Sequence, residues 1–174
     1  MNFEIHGPFD IPRLGNGLIA RKGEQRDQFW DTVDDALDGL SDGCGCYVFA
    51  LRNRGILPWY VGKAERQCFY DEVFQPQKLN YYDDVVASTK GTPVMFFLPK
   101  TTAKDKLAKP SRTEYPSVAF LENMLIGLAL SRNSELCNVK GTRFLRDMKL
   151  PGLLTPVRGR RSSAVTQLRE ALGI

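Results

Sequence analysis

Two short apolar runs, "CGCYVFAL" and "ILPWYVG", are separated by only "RNRG". Each is rich in aromatic and β-branched residues and too short for a helix of ordinary length, so each reads as a strand. Their closeness leaves room only for a tight turn, which predicts a β-hairpin turning near Asn53-Arg54-Gly55. With the turn at Arg52 to Gly55, the antiparallel register pairs Leu51 with Ile56, Phe49 with Pro58 and Tyr47 with Tyr60. Both phenols then lie on one face, with Cβ atoms about 5 Å apart. Gly45 and Gly62 flank the pair, and their missing side chains leave space for a ligand or a close backbone. A plain cross-strand aromatic pair accounts for the same spacing.

The rest of the chain arranges itself around this hairpin. "RDQFWDTVDDALDGL" predicts a helix with Phe29, Trp30, Val33 and Leu37 on its apolar face. Asp31, Asp34, Asp35 and Asp38 form its solvated side. "KLNYYDDVV" is a second helical segment, and "TPVMFFLPK" a third strand. The polar stretch "TTAKDKLAKPSRTEYP" predicts a mobile loop, with Lys100, Lys104, Lys106 and Lys109 as possible backbone-phosphate contacts. "SVAFLENMLIGLALSRN" predicts a long helix capped by Ser117, with Val118, Leu121, Leu125 and Leu128 along one face. "SSAVTQLREALGI" closes the chain as a short helix. Strands joined by a hairpin and flanked by helices predict an α+β fold with a small central antiparallel sheet of about three strands. At 174 residues the chain is sized for a single domain (1–174). Its core would span 44–140, with a helix-bearing N-terminal extension over 1–43 and a basic extension with a helix over 141–174.

A hydrophobic content of 43% supports one sizeable core, and a net charge of +4 permits a polyanionic partner without demanding one. The opening residues carry Glu4 and Asp10 and no leader-like apolar run, and no segment is long and apolar enough to span a bilayer. These features predict a soluble, cytoplasmic protein with no membrane partner. Cys44, Cys46, Cys68 and Cys137 lack zinc-site spacing, and the chain's one histidine is His6, so reduced thiols are expected.

"G-C-Y" at 45–47, followed by "Y-V-G-K" at 60–63, resembles the paired motif of the GIY-YIG nuclease family. Two further features match in order: Glu122 in a helix after the third strand, within "FLENMLIGLAL", and Asn138 in "ELCNVK". The resemblance covers about residues 44–140. It implies a DNA endonuclease that hydrolyses phosphodiesters with one divalent cation, Mg2+ or Mn2+. Glu122 would ligate the metal as its sole protein carboxylate. Tyr47 would activate or orient the water, Tyr60 would support it in the same pocket, and Asn138 would hold the pocket or contact DNA. Phosphodiester cleavage needs an activated water and charge stabilisation on the phosphate oxygens, and a single carboxylate with several waters is ordinary coordination for magnesium.

The family's arginine, which follows the second tyrosine, is replaced here by Tyr70. Lys78, with Tyr81 and Tyr82 a helical turn further on, is the expected substitute as phosphate-facing cation. Asp71, Glu72, Asp83 and Asp84 are expected as helix-surface acids. Lys63, Arg66, Asn138, Arg158, Arg160 and Arg161 are the expected nucleic-acid contacts, the last two arginines preceding the terminal helix. Two other readings stay open at this level. One is a catalytically inactive nucleic-acid-binding module that retains the fold. The other is an interaction domain in which the tyrosines merely pack.

Overall fold

The computed structural model describes residues 2–138, 142, 150–153, 157 and 159–173. The chain divides into two compact units, Met1–Asn138 and Val139–Ile174.

In the first unit the hairpin forms as β3 (Gly45–Arg52) and β4 (Ile56–Ala64), and β5 (Thr92–Thr101) pairs with the other side of β3. The sheet has five strands rather than three. The additional two are β1 (Asn2–Phe3) and β2 (His6–Asp10), both antiparallel to β5. β1 lies within "NFEI", which reads as a short strand in a mostly irregular stretch, whereas β2 comes from a segment whose glycine and proline argue against one. Such a segment is tolerated at a sheet edge, where one side of the backbone needs no ladder partner.

Alternation along β3 sorts the core. Tyr47, Phe49 and Leu51 face one side with Met95 and Phe97 of β5. That side is covered by α1 (Glu24–Ala36), α2 (Phe69–Val73) and α3 (Pro76–Ser88). These contribute Phe29, Trp30, Val33, Phe69, Leu79 and Tyr82 to a single cluster. Cys46, Val48, Phe96 and Leu98 face the other side and meet Val118, Leu121 and Leu125 of α4 (Pro116–Arg132). The result is an antiparallel sheet between two helical layers, an α+β fold. The second unit contains α5 (Ser163–Leu172), whose Ser162 cap accepts a hydrogen bond from the Val165 N–H.

Several local expectations are corrected. Helix α4 begins with Pro116 at its first turn and Tyr115 as N-cap, not Ser117, and without a side-chain cap hydrogen bond; the preset proline φ favours the helix start. Leu128 is 61% exposed, and Ile126 and Ala129 are buried in its place. The lysine-bearing segment is tied down. Thr102 N–H donates to the Lys106 carbonyl (2.8 Å), and Ala108 N–H to that of Lys100 (2.9 Å). Among the described residues no helix is long and apolar enough to cross a membrane.

Candidate functional site

The hairpin register decides the site. The turn is one residue tighter than expected, pairing Arg52 with Ile56 and Leu51 with Leu57, and a bulge at Trp59 then inserts an extra residue into β4. Phe49 therefore opposes Tyr60, and Tyr47 opposes Gly62. The pairing Tyr47–Tyr60 is corrected by two residues. Because side chains alternate with period two, a slip of two leaves both tyrosines on the same face. Their ring centroids lie 6.2 Å apart, diagonal neighbours rather than direct partners.

The glycines serve the fold itself. A Cβ on Gly62 would lie 2.3 Å from Tyr47 Cζ and 2.4 Å from its hydroxyl, so the Tyr47 ring lies over the vacancy. A Cβ on Gly45 would lie 2.2 Å from the Leu98 carbonyl oxygen, so that vacancy lets β5 approach.

Tyr47 and Tyr82 are fully buried, and neither hydroxyl makes a hydrogen bond of ordinary geometry. The phenols of Tyr47, Tyr60 and Tyr82 sit close enough to influence one another's ionisation. Burial raises Tyr47 and Tyr82 well above the usual phenol range, and it pushes Tyr60 up to about 12, with Glu122 and then Glu72 adding to the rise. The phenols are thus neutral groups, suited to donating hydrogen bonds and unsuited to taking a proton. Tyr60 is only half-buried and stacks on Tyr81 (5.7 Å, 24°).

Glu122 projects from α4 at 23% side-chain exposure, with its Oε2 3.8 Å from Lys63 Nζ. Lys63 also pairs with Glu65 (2.7 Å). Glu65 is itself buried and accepts the Tyr115 N–H at 3.0 Å, which fixes the start of α4. Lys63 pairs with Cys46 in register and so faces α4, where it meets Glu122, whereas Tyr60 faces the tyrosine cluster on the other side of β4 and is reached by the Glu122 charge.

Lys78 is not a free surface cation. Its ammonium pairs with Glu72 and donates to Gln75 Oε1 at 2.7 Å, at 12% exposure. Glu72, expected on the helix surface, is half-buried and acts electrostatically on Tyr47, Tyr60 and Tyr82. Asp83 is likewise no surface acid. It is buried, accepts the Ile19 N–H (2.9 Å) and pairs with Arg21 (2.7 Å), pinning the N-terminal segment. Asp71 and Asp84 are exposed.

Asn138 is buried, and its amide is turned to protein backbone. Its Oδ1 accepts the Val61 N–H (2.9 Å) and its Nδ2 donates to the Val61 carbonyl (2.7 Å). Asn133 Nδ2 donates to the Pro58 carbonyl, and Cys137 N–H to that of Trp59. The segment after α4 therefore closes the outer edge of β4. Asn138 holds the site's strand, and a nucleic-acid contact from it is not supported by where its amide points.

Arg66 is 72% exposed, 3.7 Å from Glu114. Arg160 and Arg161 are exposed in the second unit, lining a 460 Å³ open depression with Val157, Gly159 and Thr166. Arg158 lies outside the described residues.

A carboxylate oxygen such as that of Glu122 suits Mg2+ or Mn2+ better than softer metals. Among the described residues no three His, Cys, Asp or Glu side chains gather as a metal cage. Glu122, whose Oε2 lies 3.8 Å from the Lys63 ammonium, is a single carboxylate there. Cys46, buried beneath α4, is pushed up by burial and by Glu122, and Cys44 to about 11 chiefly by burial, so neither thiol is a thiolate at neutral pH.

Fold and site define an α+β protein with a mostly buried tyrosine cluster on one side of the sheet and a partly exposed carboxylate–lysine pair on the other. No protein-family model, curated protein or solved structure matches the chain.

Proposed function

We propose that this protein is a metal-dependent DNA endonuclease, hydrolysing phosphodiesters at a GIY-YIG-like site centred on Tyr60 and Glu122. The observation that carries the reading is the grouping of Glu122 with Lys63 (3.8 Å) on the strand that carries Tyr60, whose phenol feels the Glu122 charge. A carboxylate, an ammonium and a phenol are the parts needed to hold a divalent cation and steady the phosphate beside it. The order of Tyr47, Tyr60, Glu122 and Asn138 along the chain supports the same reading.

Within it, Glu122 would hold Mg2+ or Mn2+, and the ion would supply positive charge to the phosphate and acidity to a water. The half-buried Tyr60 hydroxyl donates a hydrogen bond to a phosphate oxygen. Tyr47 acts through its ring by steadying Tyr60, since its own hydroxyl is sealed from solvent. Lys63 and Lys78 supply positive charge to the phosphate, and Asn138 holds β4 in register. Arg66, Arg160 and Arg161, with Arg158 by sequence, supply salt-sensitive contacts to the DNA backbone.

One observation favours the inactive nucleic-acid-binding module. A carboxylate, Glu72, sits in the region after β4 where the family carries its arginine. Incubation of supercoiled DNA with Mg2+ or Mn2+, against EDTA, separates the two. Metal-dependent nicking by wild type and none by Glu122→Ala is the expected result. Metal-independent binding with no nicking by any variant would leave the binding module.

A further inference from the structure

Glu72 near the end of α2, Gln75 capping α3 and Lys78 in its first turn form a closed arrangement that the sequence did not announce. The Lys78 ammonium pairs with Glu72 and donates to Gln75 Oε1 at 2.7 Å. Gln75 Nε2 donates in turn to Glu72 Oε2 (3.3 Å) and Gln67 Oε1 (3.1 Å). Side-chain exposures of 12% for Lys78 and 18% for Glu72 set this pair apart from the surface pairs Arg66–Glu114 and Lys109–Asp42, where every partner exceeds 60%. Lys78 is therefore held, where a surface lysine would be free.

An ammonium has three N–H donors. Glu72 and Gln75 take two. Tyr81 and Tyr82 follow Lys78 by one helical turn, and both rings pack against Tyr60. A lysine is normally a flexible point charge, whereas an arginine brings a rigid fork of donors. A lysine gripped at two donors recovers some of that rigidity.

We propose that Glu72 is a positioning residue: with Gln75 it cradles the Lys78 ammonium and aims its third N–H, beside the tyrosine cluster, at a non-bridging oxygen of the substrate phosphodiester. The inference rests on the endonuclease reading and deepens it. Held in this way, the lysine gains a fixed donor direction of the kind an arginine's fork has built in, while the Glu72 charge offsets part of its own. Glu72 touches no substrate, and its effect passes through Lys78.

The test is plasmid nicking by the full chain in Mg2+, with Glu72→Gln, Gln75→Ala, Lys78→Ala and the double variant Glu72→Gln/Lys78→Ala. Glu72→Gln is expected to lower kcat about tenfold with KM within about twofold, since orientation is lost and charge attraction is not. Gln75→Ala, which leaves the ion pair in place, should lower kcat severalfold. The double variant should be no slower than Lys78→Ala, because Glu72 then has nothing to aim. A Glu72→Gln variant as fast as wild type or faster would overturn the proposal, because the carboxylate would then be opposing the phosphate. So would losses that multiply in the double variant. Nicking by wild type but not by Glu122→Ala keeps the endonuclease reading whichever way the Glu72 series falls. An inactive wild type removes both.

Discussion

Replacing Gly62 with alanine puts the register and the buried tyrosine to a direct test. The added methyl carbon would sit 2.3 Å from Tyr47 Cζ, 2.4 Å from its hydroxyl oxygen and 2.8 Å from Cε1. Carbon atoms in contact prefer about 3.5–4.0 Å, so the ring must move by more than an ångström. It has little room to do so. Tyr47 is fully buried, Tyr60 lies 6.2 Å away by ring centroid, and Tyr82, equally buried, packs in the same cluster. Overpacking of this kind costs about 1–3 kcal/mol, and a rigid aromatic with packed neighbours belongs at the upper end. With a urea m-value of about 1–3 kcal/mol/M, the unfolding midpoint should fall by about 1 M. In a Tyr47→Ala background the same substitution should cost almost nothing more, because the obstructing ring is gone. A Gly62→Ala protein with an unchanged midpoint, or one equally destabilised with and without the Tyr47 ring, would refute both the register and the account of why glycine stands there.

Tyr47→Phe should change stability by about 1 kcal/mol or less, since it removes a buried hydroxyl with no ordinary hydrogen bond, and should leave DNA nicking within about threefold; Tyr60→Phe should lower nicking more than tenfold. Asn138→Ala strips partners from both backbone groups of Val61 and should cost about 2–4 kcal/mol; denaturant unfolding measures the loss, and amide exchange at Val61 should quicken. The alkaline limb of stability follows from the phenols. An unfolded tyrosine ionises near pH 10, whereas Tyr60 is pushed up to about 12 by burial, Glu122 and Glu72, and Tyr47 and Tyr82 are raised as well. Between those values the unfolded chain has lost protons that the folded one keeps, so stability is fully present below about pH 10 and falls as pH rises through the folded pKa. Tyrosinate absorbance should show these phenols ionising together with unfolding, and smooth titration of all six tyrosines in the folded state would contradict it.

Periodicity alone determined the local elements. Alternation marked the strands of the hairpin and the shared face of Tyr47 and Tyr60, and three-and-four spacing marked Phe29, Trp30 and Val33 as the inner face of α1. These are properties of neighbouring residues, set by backbone geometry before any long-range contact forms. The tertiary structure decided what the spacing could not encode. The Trp59 bulge reset the hairpin register, and the face survived only because the slip was two residues. Gly45 and Gly62 looked like room for a ligand and instead admit β5 and the Tyr47 ring, since only packing shows what fills a missing side chain. Asp83 read as a helix-surface acid because Ile19 and Arg21, which give it its role, are distant in the chain; Glu72 did so because only the break between α2 and α3 turns Gln75 and Lys78 onto it. Strand β2 was hidden for the same reason: a short edge strand containing Gly7 and Pro8 has little propensity of its own and is made by the partner it finds in β5. A charge, a glycine or a weak strand takes its meaning from what the fold sets against it, and that is the information a linear pattern does not carry.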